Sequence, residues 1–164
     1  MSEPAEVARQ YFEAIALQDL DAAEACWAVG GIDHLAPVGE LSVPEGWRAY
    51  FEELFAAVPD FKYEVVDLIS QDDTVAVHWR ANGSFTGKAL QGIRANGARI
   101  RASGADMLRV EGGLIQRLDS YWDDAAVARQ IGILPAKGSG QERALTALFN
   151  ARTRIARRLR RRSV

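Results

Sequence analysis

The sequence predicts an α+β fold in which three N-terminal helices pack on a strongly curved antiparallel sheet. Three observations carry this. Apolar residues recur at three- and four-residue spacing up to Pro59, and at two-residue spacing from Phe61 onward. Helical segments come first and strand segments follow, so the alternation that marks a parallel sheet is absent. The stripe Trp47, Tyr50, Phe51, Leu54, Phe55 and Val58 is too large to leave in water and needs an apolar face to cover it.

Residues 3–17 form the first expected helix. Ser2 can cap it, Pro4 fits its first turn, and Val7, Ala8, Tyr11, Phe12 and Ile15 share one face. Asp19 is the N-cap of a second helix, expected to run through Ala22, Ala23, Cys26 and Trp27 to the breaker Gly30-Gly31. Ile32 to Ala36 is a short extended piece before Pro37. Ser42-Val43-Pro44-Glu45 reads as a capping box opening the third helix, and Pro59 stops it. Phe61, Tyr63 and Val65 then alternate with Lys62 and Glu64, and Asp72-Asp73 turns the chain. Val75, Val77 and Trp79 alternate with His78, Arg80 and Asn82, and Asn96-Gly97 is a hairpin signal. Two further strands flank Glu111-Gly112-Gly113, and residues 124–133 close the domain with a helical turn.

A chain of 164 residues, 48% hydrophobic, suits one domain with a real core. No apolar run approaches the roughly 20 residues that span a bilayer. The N-terminus is acidic and polar, unlike a secretory signal, so a cytoplasmic protein is expected. The lone Cys26 excludes an internal disulfide and reads as a small core residue.

The net charge of −2 conceals an asymmetry. Residues 1–134 carry 11 Lys and Arg against 21 Asp and Glu, whereas residues 135–164 carry 9 against 1. Three parts follow: a domain over 1–134, a linker over 135–140, and a basic amphipathic helix over 141–164. In that helix Leu145, Leu148, Phe149, Ile155 and Leu159 lie near one face, interrupted by Arg152. Arg154, Arg157, Arg158 and Arg160 to Arg162 cover much of the remainder. It can be a solubilising tail, dock on the acidic body within the chain or across its own dimer, or bind an anionic membrane surface; the acidic body makes docking on it the first expectation, and the apolar face argues against a specific nucleic acid.

The hairpin from Ala102 to Asp124 holds two isolated acids, Asp106 and Asp119. With a three-residue turn, Val110 pairs with Leu114, Asp106 with Leu118, and Ala102 with Trp122, all on one face. The other face carries Arg101, Arg109, Arg117, Asp119 and Tyr121 and cannot be an apolar interior. Asp106 therefore points inward with a pKa raised by burial, and Asp119 points outward into an ion pair.

Several pieces, in order, resemble one family: Tyr11-Phe12; Asp19-Leu20-Asp21; Pro37-Val38-Gly39; Val58-Pro59-Asp60-Phe61; Asp73 to Val77 into Trp79; Gly83 to Gly87; Asn96-Gly97; Asp106 to Val110 with Gly113; and Tyr121-Trp122-Asp123. Over about residues 3–134 the chain resembles the SnoaL-like polyketide cyclases of the nuclear-transport-factor-2-like superfamily, which also holds ketosteroid isomerases and epoxide hydrolases. The resemblance implies a cone-shaped α+β barrel with an apolar pocket, frequently a homodimer. The working aspartate of the cyclases falls on Ser120 here, which cannot serve as the acid–base group. The ketosteroid isomerases supply a closer local match, implying that Tyr11 and Asp106 donate hydrogen bonds to an oxyanion. Their general base corresponds to Ala36; His34, two residues earlier, shares that face if the segment is extended, and its ordinary pKa near ~6.5 suits a base.

The catalytic set expected is thus Asp106, Tyr11 and His34, with Phe51, Phe55, Leu118, Trp122, Ser120 and His78 contacting the substrate. His78 shares a face with Arg80, which is either the pocket or an outer or dimer-facing surface. The two histidines lack metal-site spacing, and no phosphate or dinucleotide fingerprint is present, so neither metal nor cofactor is expected. The expected function is cofactor-free acid–base chemistry, of cyclase or isomerase type, on an apolar carbonyl-bearing polyketide- or steroid-like small molecule. The alternative is a non-catalytic ligand-binding or interaction module on the same fold.

Overall fold

Both spacings turn into the expected elements. A computed structural model describes residues 3–162, with side chains as far as Ala156. Ser2 and the side chains of Arg157, Arg158, Leu159 and Arg160 to Arg162 lie outside the described residues. The order is α1 (Glu3–Ala16), α2 (Leu20–Glu24), β1 (Trp27–Leu35), β2 (Gly39–Ser42), α3 (Glu45–Ala57), β3 (Lys62–Gln71), β4 (Thr74–Ser84), β5 (Arg99–Glu111), β6 (Leu114–Trp122), α4 (Asp124–Gln130) and α5 (Gly140–Arg162).

The six strands form one open sheet in the order β2-β1-β6-β5-β4-β3. Its pairings are antiparallel except that β1 runs parallel to β6, so the sheet is mixed. Register shifts between Trp27 and Ile32, between Val65 and Asp67, and between Arg109 and Val110 mark irregularities of the kind that bend a sheet. The concave face holds the core. Tyr11, Phe12 and Ile15 of α1 and Trp47 and Phe51 of α3 meet Val75, Val77, Leu108, Val110, Ile115 and Leu118. Trp47 is completely buried, as the aromatic stripe of α3 requires.

Three local expectations change. Asp19 does cap α2, accepting from the Ala22 N–H at 3.0 Å, but that helix ends at Glu24, and Trp27 to Leu35 is a strand. The edge beside β6 captures the segment, and the ring of Trp27 goes into the core. The capping box does not form. Ser42 ends β2, and Pro44 occupies the N-cap of α3 with no side-chain cap. Asn96-Gly97 does not join two strands directly. It closes a loop over 85–98, where the Gly97 N–H donates to the Phe85 carbonyl and the Phe85 N–H to the Ala98 carbonyl.

The turn between β5 and β6 has two residues, not three. Gly112 and Gly113 both have positive φ (60° and 76°), the pair a type I′ turn demands, and Glu111 pairs with Leu114. One residue further on the strands slip again, so that Arg109 pairs with Arg117 and Asp106 with Ser120. The two one-residue offsets cancel in parity. Asp106 therefore still points inward, but its partner is Ser120 instead of Leu118.

Candidate active site

Strand alternation on β4, β5, β6 and β1 builds the site. It turns Trp79, Asp106, Ser120 and Asp33 to the concave side, where they line a cavity of about 360 Å³. α1 adds Tyr11 and Phe12, α3 adds Tyr50, Phe51 and Leu54, and β3 adds Tyr63. Val127 and Ile131, from α4 and its C-cap, complete the lining. The rings of Phe12 and Tyr63 stack at 5.4 Å with an interplanar angle of 4°, and Tyr63 stacks on Trp79 at 5.4 Å. The three rings form one continuous stack along the lining, and the polar groups sit beside it.

Asp106 is a buried carboxyl with three hydrogen-bond donors. Trp79 Nε1 donates to its Oδ1 at 2.7 Å, Ser120 Oγ to the same oxygen at 2.5 Å, and Tyr63 OH to Oδ2 at 3.3 Å. Burial raises its pKa to about 6, against the pull of the bonds from Ser120, Trp79 and Tyr63, which favour the ionised form. At neutral pH it is therefore mostly a carboxylate.

Asp33 is the second carboxyl, and its surroundings are the reverse. It is 1% exposed, and its Oδ1 has no hydrogen-bond partner among the described residues. Burial, and then the negative charges of Asp106 and Asp119, push its pKa well above the usual carboxylate range. On β1 it lies beside Leu118, whereas Asp106 on β5 lies beside Ser120, so β6 runs between the two acids. Both shifts are upward but unequal, since only Asp106 has donors that favour its ionised form, and such inequality divides a carboxyl pair into a proton donor and a proton acceptor. Tyr11 stands nearby with its hydroxyl accepting from Trp47 Nε1 at 3.2 Å, which leaves its own proton free to donate. Burial first, and then Asp33, keep Tyr11 neutral.

Of the residues named from the sequence, Asp106, Tyr11, Ser120, Leu118, Trp122 and Phe51 line this cavity. Three others stand apart from it. His34 points to the outer face, because the same alternation that buries Asp33 and Leu35 turns it away. There its Nδ1 meets Asp119 Oδ1 at 3.1 Å, and Arg117 grips the same carboxylate, with Nη2 2.9 Å from Oδ1 and Nε 3.0 Å from Oδ2. Asp119 thus has the outward ion pair expected of it, and its pKa is lowered chiefly by Arg117. His78 is exposed on the outer face of β4, opposite in parity to Trp79. Phe55 does not line the cavity; its ring packs 5.8 Å from that of Phe51 and 5.5 Å from that of Phe61.

Sequence reasoning missed Asp33 and gave Trp79 no role beyond its place in a strand. Asp33 shares parity with Leu35, which was the available signal. The competing signal, Ile32 and Ala36 flanking His34, had equal weight in so short a segment. Among the described residues, no group of three His, Cys, Asp or Glu is placed to hold a metal ion.

Two expected results follow from this geometry. Gly104 pairs with Trp122, and a Cβ there would lie 2.4 Å from Trp79 Cζ2 and 2.4 Å from the Tyr121 carbonyl. Gly104→Ala should therefore cost about 2 kcal/mol or more in a denaturant titration, and should displace the indole that holds Asp106. The second concerns pH. Asp106 has a folded pKa of about 6. The unfolded value is near ~3.9. The folded state binds this proton more tightly, so the stabilisation is fully present below about pH 4 and is lost as pH rises through about 6. The loss is worth about 3 kcal/mol, and Asp33, shifted in the same direction, adds to it. Unfolding free energy measured across that window should fall with rising pH, and Asp106→Asn should flatten the fall.

Comparison with known proteins gives a consistent picture. A family model described as SnoaL-like polyketide cyclase matches residues 5–131. A search of curated proteins finds no match. Solved structures share the fold. AclR of Streptomyces galilaeus, a candidate hydroxylase, superimposes with a TM-score of 0.73 at 19% identity, covering 82% of this chain and 99% of its own. IdmH of Streptomyces antibioticus, a candidate polyketide cyclase, gives 0.69 at 22% identity, covering 80% and 99%. A candidate SnoaL-like polyketide cyclase from Jannaschia gives 0.72 at 18% identity, covering 81% and 94%.

Proposed function

The chain belongs to the SnoaL-like polyketide cyclase family, and on that premise we propose that it is a cofactor-free acid–base catalyst acting on an apolar, carbonyl-bearing, polyketide-like small molecule. One observation carries the reading: two buried carboxyls, Asp106 with three hydrogen-bond donors and Asp33 with an oxygen that has none among the described residues, face a single cavity lined by stacked aromatic rings.

The chemistry follows from that difference. A carbonyl oxygen placed between Asp33 and Tyr11 receives hydrogen bonds from two neutral donors. Asp106 removes the proton on the adjacent carbon through Oδ2, the oxygen that carries a single long bond from Tyr63. The electron pair of the broken C–H bond moves onto the carbonyl oxygen, and Asp33 supplies the proton or hydrogen bond that stabilises the enolate. Returning the proton to a different carbon gives isomerisation, and attack of the enolate carbon on a second carbonyl gives ring closure. Ser120 holds and orients Asp106 through its hydroxyl.

The alternative, a binding module without turnover, draws support from that same Ser120, which stands where the resemblance to cyclases places an acid. Exchange of α-protons separates the two. Apolar cyclic ketones incubated with the protein in heavy water should incorporate deuterium next to the carbonyl, followed by NMR. A panel that binds in the cavity without exchanging would leave the binding module as the function.

A further inference from the structure

We infer that α5 is a docking helix for an anionic membrane surface. The helix runs over Gly140–Arg162, and every described side chain from Ala144 to Arg152 is exposed. Leu145, Leu148, Phe149 and Ile155 are 55%, 69%, 68% and 60% exposed. At helical spacing they form one stripe, which the described part of the body does not cover. The helix is tied to the body at its start, where Arg129 meets Glu142 at 3.8 Å.

Charge and shape choose the partner. Residues 152–162 include seven arginines and no acid. A surface helix with an apolar stripe broken by Arg152, an arginine-rich sequence around it and low overall hydrophobicity is suited to lie at a headgroup layer. No described helix is long and apolar enough to cross a membrane, so the attachment would be in plane. A second copy of α5 fits poorly, because the stripe would set Arg152, at its middle, against its own kind. Nucleic acid would use the arginines but leave the stripe in water. The connection from α5 to α4 is short, and α4 lines the cavity through Val127 and Ala128, so a docked tail brings the cavity rim toward the layer in which an apolar ligand dissolves.

Vesicle flotation with the full chain tests this. Vesicles of equal parts phosphatidylglycerol and phosphatidylcholine should carry the protein at low salt and release it at high salt, and pure phosphatidylcholine vesicles should not carry it. Phe149→Glu and Arg154→Glu should each weaken binding by about tenfold or more, while the unfolding midpoint and light-scattering mass stay unchanged. Failure of the full chain to float, equal binding to both vesicle types, or undiminished binding by Phe149→Glu would overturn the proposal. So would a Phe149→Glu variant whose mass halves in lipid-free solution, which would assign the stripe to a second copy.

Discussion

Asp33→Leu is expected to make the protein more stable and catalytically inert. Asp33 is 1% exposed, and its Oδ1 lacks a partner among the described residues. A buried polar atom without a hydrogen bond costs about 1–3 kcal/mol, and leucine at the same place removes that cost. For a chain of this size each kilocalorie moves the unfolding midpoint by about 2–4 °C, so calorimetry should show a rise of several degrees. Deuterium exchange into bound ketones should fall by about 10²–10⁴, the usual contribution of a positioned acid. A stabilising substitution that removes activity is what a group retained for chemistry produces. A structural aspartate would give the opposite sign.

Asp106 should behave differently from its neighbour. Asp106→Asn keeps an oxygen for Trp79 and Ser120, so the fold and unfolding midpoint should change little. The amide cannot accept a proton, and exchange should again fall by about 10²–10⁴. Asp106→Leu strands the Trp79 indole N–H and the Ser120 and Tyr63 hydroxyls inside the protein. That variant should lose several kilocalories, at about 1–3 for each stranded donor. Leucine at position 33 and leucine at position 106 thus have opposite signs in the same cavity. The contrast reports which carboxyl is hydrogen-bonded and which is left free.

Much of this architecture was legible in the residues. The α3 stripe demanded a covering face, and period-two alternation placed Val75, Val77 and Trp79 inward, because burial of large apolar side chains dominates the choice of face. Asp106 could be placed through its parity with Leu108 even though the turn and its register were misread, since two single-residue offsets restore the alternation. Asp33 could not. Its strand begins with a residue read as helical and is broken by an irregularity between Trp27 and Ile32, so no long alternation fixes its face. Partnership with β6, a contact from far along the chain, decides it. The same contact carries His34 to Asp119 and removes it from the site. The three donors to Asp106 come from three different strands, and spacing along the sequence does not report such convergence.

The division of the two carboxyls is the centre of this account, and a carbon-13 NMR titration of the aspartate side chains tests it directly. Spectra of the wild type are assigned with Asp33→Asn and Asp106→Asn. One carboxyl, lost in Asp106→Asn, should titrate near pH 6, and the other, lost in Asp33→Asn, should titrate at higher pH than the first, well above the usual carboxylate range. Two buried aspartates already ionised at pH 5 would contradict the account, because the cavity would then hold two bases and no carboxylic acid.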